Sequence, residues 1–129
     1  MNENTENKTI KDFTDLNAWK EGHKLVILVY ATVKDFPKEE LYSLTDQMKR
    51  ATVSVTSNIA EGFGRQTYKD KANFYYQAQG SLTELKNQIL IAKDINYLTQ
   101  KYFDNLMLQA NVVHQLLQGL IRKTKSFIK

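Results

Sequence analysis

LTDQMKRATVSVTSNIAEGFGR, residues 44–65, carries two stripes at once. Leu44, Met48, Val55 and Ile59 recur at helical spacing and form an apolar side that Leu41 extends backwards. Gln47, Ala51, Ser54, Asn58, Glu61 and Arg65 follow the same three-four spacing and form a second side of polar and small residues. Gly62 and Gly64 end the helix and turn the chain. A helix apolar on one side only must bury that side against others, so this stretch sets the fold class. Its second side marks the place to look for a site.

The flanking segments read the same way. In DLNAWKEGHKLVILVYATVKDF, Leu16, Trp19, His23, Val26, Tyr30 and Val33 predict a helix over about residues 15–36 with one buried stripe. Thr14 or Asp15 is placed to cap it and Phe13 to staple its start. Pro37, the single proline, closes this helix and opens the next, predicted over 38–64, where Glu39 and Glu40 suit the positive end of the dipole. Thr67 and Asp70 make a capping pair for a third helix over 68–95, with Phe74, Ala78, Leu82, Leu85, Ile89 and Ala92 inward. Asn96 is a stop. Thr99 caps a fourth helix over 99–127, whose Phe103, Leu106, Ala110, Val113, Leu117, Leu120, Thr124 and Phe127 keep the alternation. No hairpin signal competes with these periods.

Four long helices with short connections predict an all-α, up-down-up-down antiparallel four-helix bundle over residues 13–129, preceded by a flexible polar arm over 1–12. With 129 residues, 42% of them hydrophobic, the chain suits one domain with a sizeable core. The absence of cysteine excludes disulfides, thiolate metal sites and thiol nucleophiles, and suits a reducing compartment. The start, MNENTENKTI, lacks the apolar core of a signal peptide, and no run approaches the roughly 20 apolar residues of a membrane span. The expectation is a cytoplasmic protein that makes no membrane contact.

The net charge of +4 is unevenly placed. Residues 1–98 hold thirteen Lys and Arg against thirteen Asp and Glu, whereas residues 99–129 hold five against Asp104 alone. Arg122, Lys123, Lys125 and Lys129 supply most of this excess, a pattern that suits nucleic acid or an acidic partner. The same cations also fit a plainer reading, complementing the dipole at a helix C-terminus.

Catalytic chemistry finds little support. His23 and His114 fall on different helices without metal-ligand spacing, so no metal is expected. QGSLTE lacks the strained turn and base that serine catalysis needs, and the GFG of residues 62–64 lacks the strand and Gly-Lys-Ser/Thr of a phosphate loop. No catalytic residue and no cofactor is assigned. What remains is the polar seam of the second helix and its counterpart on the third, Gln77, Ser81, Glu84 and Gln88 beside Gly80. A hairpin turning near residue 66 brings Ser54 to Gly80 or Ser81, and Arg50 or Gln47 to Glu84. Such a seam is a solvated face, a hydrogen-bonded network between helices, or a functional groove.

These residues also carry a family pattern. LTDQMKRATVSVTSNIAEGFGR, followed fifteen residues later by GSLTELKNQI and preceded by DLNAWKEGHKLVILVY and FPKEE, resembles the four-helix-bundle proteins encoded in intervening sequences of bacterial large-subunit ribosomal RNA genes. The resemblance covers about residues 13–98, with Arg50, Ala51, Ser54, Ser57 to Gly62, Arg65, Gly80, Ser81 and Glu84 at its motif positions. It implies a left-handed bundle that assembles into a homopentamer, and a relationship to the accessory variability protein of diversity-generating retroelements, which binds a reverse transcriptase and nucleic acid. It implies no catalytic residue, and it favours the network reading of the seam. Thr56 stands where that family usually has proline, Gly22 where alanine is common and Lys71 where an aromatic is usual.

The expectation is therefore a non-enzymatic oligomeric scaffold that binds RNA or a nucleoprotein through its basic fourth helix. The alternatives are a protein-interaction module that binds no nucleic acid and an enzyme using Glu61, Arg65 or Glu84.

Overall fold

The computed structural model describes residues 9–129; most of the predicted polar arm, residues 1–8, lies outside the described residues. Four helices follow one another: α1 (Asn17–Val33), α2 (Leu44–Phe63), α3 (Tyr68–Asp94) and α4 (Gln100–Lys125), with 3-10 turns at Phe13–Asp15 and Lys38–Glu40. There is no strand among the described residues. Each helix packs on its neighbours in chain order and α1 also packs on α4, so the four close into a ring around one core. Contacts fix the directions. Gly22–Thr56 and Tyr30–Lys49 join α1 to α2, Ser54–Ser81 and Gly62–Tyr75 join α2 to α3, and Tyr68–Phe127 and Lys93–Phe103 join α3 to α4, each set pairing rising with falling numbers, so consecutive helices run antiparallel.

Local chemistry explains the boundaries. Neither Thr14 nor Asp15 caps α1, whose N-cap is Leu16 without a side-chain bond; Asp12 and Asp15 instead cap the 3-10 turn before it, Phe13 N donating to Asp12 Oδ1 at 2.8 Å and Asp12 N to Asp15 Oδ2 at 3.1 Å. The predicted staple is present, with the Phe13 and Trp19 rings edge to face and their centroids 5.5 Å apart. The second helix starts six residues later than predicted. Pro37 opens only a 3-10 turn, and Ser43, at φ −125° and ψ −108°, lies outside helical geometry. Ser43 makes no side-chain cap; Glu40 Oε1 reaches forward and accepts from Leu44 N at 3.2 Å instead. Thr67 and Thr99 cap α3 and α4 as the sequence predicts, accepting from Asp70 N at 3.1 Å and Tyr102 N at 3.2 Å. Asn96 ends the turn after α3 in the left-handed region, at φ 67°.

The core differs from the predicted stripes in α1, in α3 and at two helix ends. In α1 the buried residues are Ala18, Gly22, Leu25, Val29, Thr32 and Val33, about one residue round from the stripe read from the bulky side chains. His23 and Tyr30 are exposed instead. His23 stacks on Trp19, centroids 4.8 Å apart, and Tyr30 lies under Lys49 Nζ at 4.9 Å. In α3, Tyr75 rather than Phe74 is buried, at 2% exposure, because its ring lies against Gly62. A Cβ on Gly62 would stand 2.7 Å from Tyr75 Cε1, so the glycine is required by close approach. Gly80 has no such role, since a Cβ there meets nothing within 4 Å. Leu41 and Phe127, predicted inward, are 48% and 49% exposed beyond the ends of their helices. Gly22 and Thr56 face each other: a Cβ on Gly22 would stand 3.0 Å from Thr56 Cγ2.

Candidate functional site

The seam between α2 and α3 has a small bonded centre. Ser54 Oγ and Ser81 Oγ are 2.8 Å apart, the contact that the hairpin register predicts. Asn58 Nδ2 donates to Ser54 O at 2.9 Å and to Ser54 Oγ at 3.1 Å, so the three half-buried side chains form one chain of hydrogen bonds. The charged members of the seam do not join it. Arg50 pairs with Asp46 on its own helix, Nε to Oδ2 3.0 Å, and not with Glu84. Its side chain is 80% exposed, and an i,i+4 partner costs less side-chain ordering than a reach across to α3. Glu61 likewise pairs with Arg65 at 3.1 Å, and the Arg65 guanidinium lies 4.4 Å from the Phe74 ring centroid. Glu84 is exposed and takes only a long bond, 3.5 Å, from Gln88 Nε2.

This arrangement orders two helices but offers no acid-base pair. Among the described residues no cluster of three His, Cys, Asp or Glu can hold a metal ion. His114 of α4 and Lys86 of α3 are both half-buried; burial first, and then the Lys86 charge, lowers the His114 pKa below its ordinary value. His114 Nδ1 is buried without a partner among the described residues.

The second candidate lies at the end of the bundle where α4 finishes. Because α4 runs opposite to α3, Arg122, Lys123, Lys125 and Lys129 come to the same end as Arg65, Lys69 and Lys71. All seven except Lys71 are exposed. Among the described residues none of Arg122, Lys123, Lys125 and Lys129 forms an ion pair, while Arg65 is neutralised by Glu61. Lys71 donates to Phe63 O, satisfying a carbonyl left free at the end of α2; burial lowers its pKa.

Between these cations lies a hollow of about 330 Å³ whose walls include Phe63, Tyr68, Tyr75, Lys123 and Phe127. Tyr68 and Phe127 stack on each other there, centroids 5.0 Å apart at 28°. Sequence reading missed this hollow because its walls come from α2, α3, α4 and Ile10, and only the fold brings them together. The two cross-bundle bonds Tyr97 Oη to Glu40 Oε2, 2.8 Å, and Gln109 Nε2 to Glu21 O, 2.8 Å, also carry no signal in spacing.

An antiparallel helical bundle with a hydrogen-bonded polar seam and a basic end is the class these features define. The chain belongs to the 23S rRNA-intervening sequence protein family, whose sequence model matches residues 14–119. It is similar to a solved protein of unknown function from the S23 ribosomal protein family of Bacteroides thetaiotaomicron, with a TM-score of 0.76 at 17% identity. That similarity covers 81% of this chain and 95% of the other, and it shows the fold. No curated protein matches the chain. Among the described residues no helix is long and apolar enough to cross a membrane.

Proposed function

We propose that the protein is a non-catalytic, self-associating helical scaffold, a homopentamer as the family resemblance implies, whose basic end binds RNA phosphates. Lys69 is the observation that carries this reading. The last-turn cations of α4 have a plainer explanation in the helix dipole, but Lys69 sits in the first turn of α3, at the positive end of that dipole. A cation there is unfavourable for its own helix, yet it adds to the field of Arg122, Lys123, Lys125 and Lys129 beside it. Phosphate binding by counterion release uses such a cluster of unpaired, exposed cations. A pentamer would gather five copies, about twenty excess charges, on one assembly. The same surface would suit the RNA of a nucleoprotein, and the cytoplasm is the compartment this reading requires.

A second reading, a protein-interaction module without nucleic-acid binding, is favoured by apolar side chains left open on the sides of the bundle, Ile27 at 58% and Leu108 at 68% exposure. Two measurements test the proposal. Light scattering coupled to size exclusion should give about five times the 15.0 kDa chain mass, and a clean monomer refutes the assembly. Structured RNA should bind at low salt and be lost on charge reversal of Arg122, Lys123 and Lys125; absence of binding by the unaltered chain leaves the protein-interaction module.

A further inference from the structure

The geometry points to a specific task for the aromatic hollow at the basic end: we infer that it receives one unstacked base of a single-stranded RNA segment, an inference that rests on the RNA reading above. Phe63, Tyr68 and Phe127 give it three aromatic walls, and Tyr68 and Phe127 are 46% and 49% exposed although already stacked on each other. Their outer faces are open to a further ring. Flat π-faces of this kind accept any base, and they cannot take one that is still paired within a duplex.

A polar group waits in the same place. Tyr75 is 2% exposed and lines the hollow, yet among the described residues its hydroxyl makes no hydrogen bond. Burial raises its pKa to about 12, so at neutral pH it is a hydroxyl that can donate as well as accept. The hydroxyl is therefore free to pair with the edge of a nucleobase, which carries both donors and acceptors. The rim supplies the rest of a nucleotide's needs. Lys123 lines the hollow and Lys69 and Lys125 stand on the helices beside it, without acidic partners among the described residues. At about 330 Å³ the hollow is at the small end of ligand sites, suited to one nucleoside and too short for a docked helix. Lys71 is held by Phe63 O and keeps the α2–α3 corner closed behind the base.

The test uses the full chain and a single-stranded RNA twelve nucleotides long with one central 2-aminopurine, compared with a duplex of equal length. The expected result is about tenfold preference for the single strand, with 2-aminopurine fluorescence quenched on binding. Tyr68→Leu combined with Phe127→Leu should remove the preference and the quenching while the salt dependence of binding persists. Phe127→Leu alone, beyond the end of α4, reports the same loss in part should the double variant lose helical circular dichroism. Tyr75→Phe should retain quenching and weaken the single strand several-fold. Equal binding of single strand and duplex with unchanged fluorescence overturns the base site and leaves the RNA reading standing. Failure of both RNAs to bind at low salt overturns the RNA reading itself, and the base site with it.

Discussion

Gly22→Ala is the substitution whose outcome the packing of the bundle decides. Alanine in a helix interior is favoured over glycine by about 0.8–1.0 kcal/mol, so propensity alone makes the change stabilising. The added Cβ would stand 3.0 Å from Thr56 Cγ2 and 4.0 Å from Val113 Cγ1. Carbon atoms pack best at about 3.5–4.0 Å, which leaves the threonine contact roughly half an ångström short. Thr56 cannot simply turn away. It is β-branched, and its Oγ1 donates to Val53 O at 3.1 Å, which ties the rotamer that presents Cγ2 to α1. Overpacking of this kind costs about 1–3 kcal/mol, so Gly22→Ala should come out destabilising by up to about 2 kcal/mol. Thr56→Ser keeps the hydroxyl and removes the obstructing methyl. In that background Gly22→Ala should stabilise by about 1 kcal/mol, giving a coupling of about 1–3 kcal/mol between two helices. Urea unfolding of the four proteins, with equal m-values, measures the cycle. Additivity within about 0.3 kcal/mol, with Gly22→Ala stabilising in both backgrounds, would refute the contact.

Three further outcomes follow from named bonds. Ser54→Ala and Ser81→Ala should each cost about 1 kcal/mol, while the double variant should cost little more than either because both partners of the bond are gone; a fully additive loss contradicts the seam. Tyr97→Phe bears on acid stability: the Tyr97 hydroxyl, followed by Leu44 N, holds the Glu40 carboxyl below its usual 4.5. That contribution is present above the ordinary carboxylate value and is lost as pH falls through the lowered one, so the wild type should exceed the variant at pH 7 and converge with it in acid. A pH-independent difference in melting temperature would contradict the bond. His114 carries the opposite kind of burden. Its pKa lies below 6.5 when folded, so the unfolded chain binds more protons just below that value and stability falls as pH drops through it. His114→Gln should flatten the profile between pH 7 and 5, and an unchanged slope shows that other groups set it.

The helices were legible because most of their stripes are made of large side chains on a 3.6-residue period, and Thr67, Asn96 and Thr99 mark their ends with unambiguous chemistry. The α2–α3 register was legible too, since two glycines fix the corner from which Ser54 and Ser81 are counted. In α1 the reading failed because it followed Trp19, His23 and Tyr30. Those rings lie at the edge of the interface, while Ala18 and Gly22 sit in its centre, where small residues bring helices close. The start of α2 was misplaced because Pro37 announces a turn of helix without saying how far it continues. Arg50 and Glu84 were brought together by spacing alone, and the nearer Asp46 won the arginine. The basic end was legible as charge in the last thirty residues. Its aromatic hollow was not, because Phe63, Tyr75 and Phe127 meet only after the helices have been packed antiparallel.

The central claim is that the cations at the end of α4 bind RNA through its phosphates, and the salt dependence of that binding tests it most directly. With Arg122, Lys123, Lys125 and Lys129 each displacing a counterion from a single strand, log K against log salt should fall with a slope of about −3 or steeper. Reversing Arg122, Lys123 and Lys125 to glutamate should abolish both the affinity and the slope. Binding that is insensitive to salt, or that survives the reversal unchanged, would contradict the account.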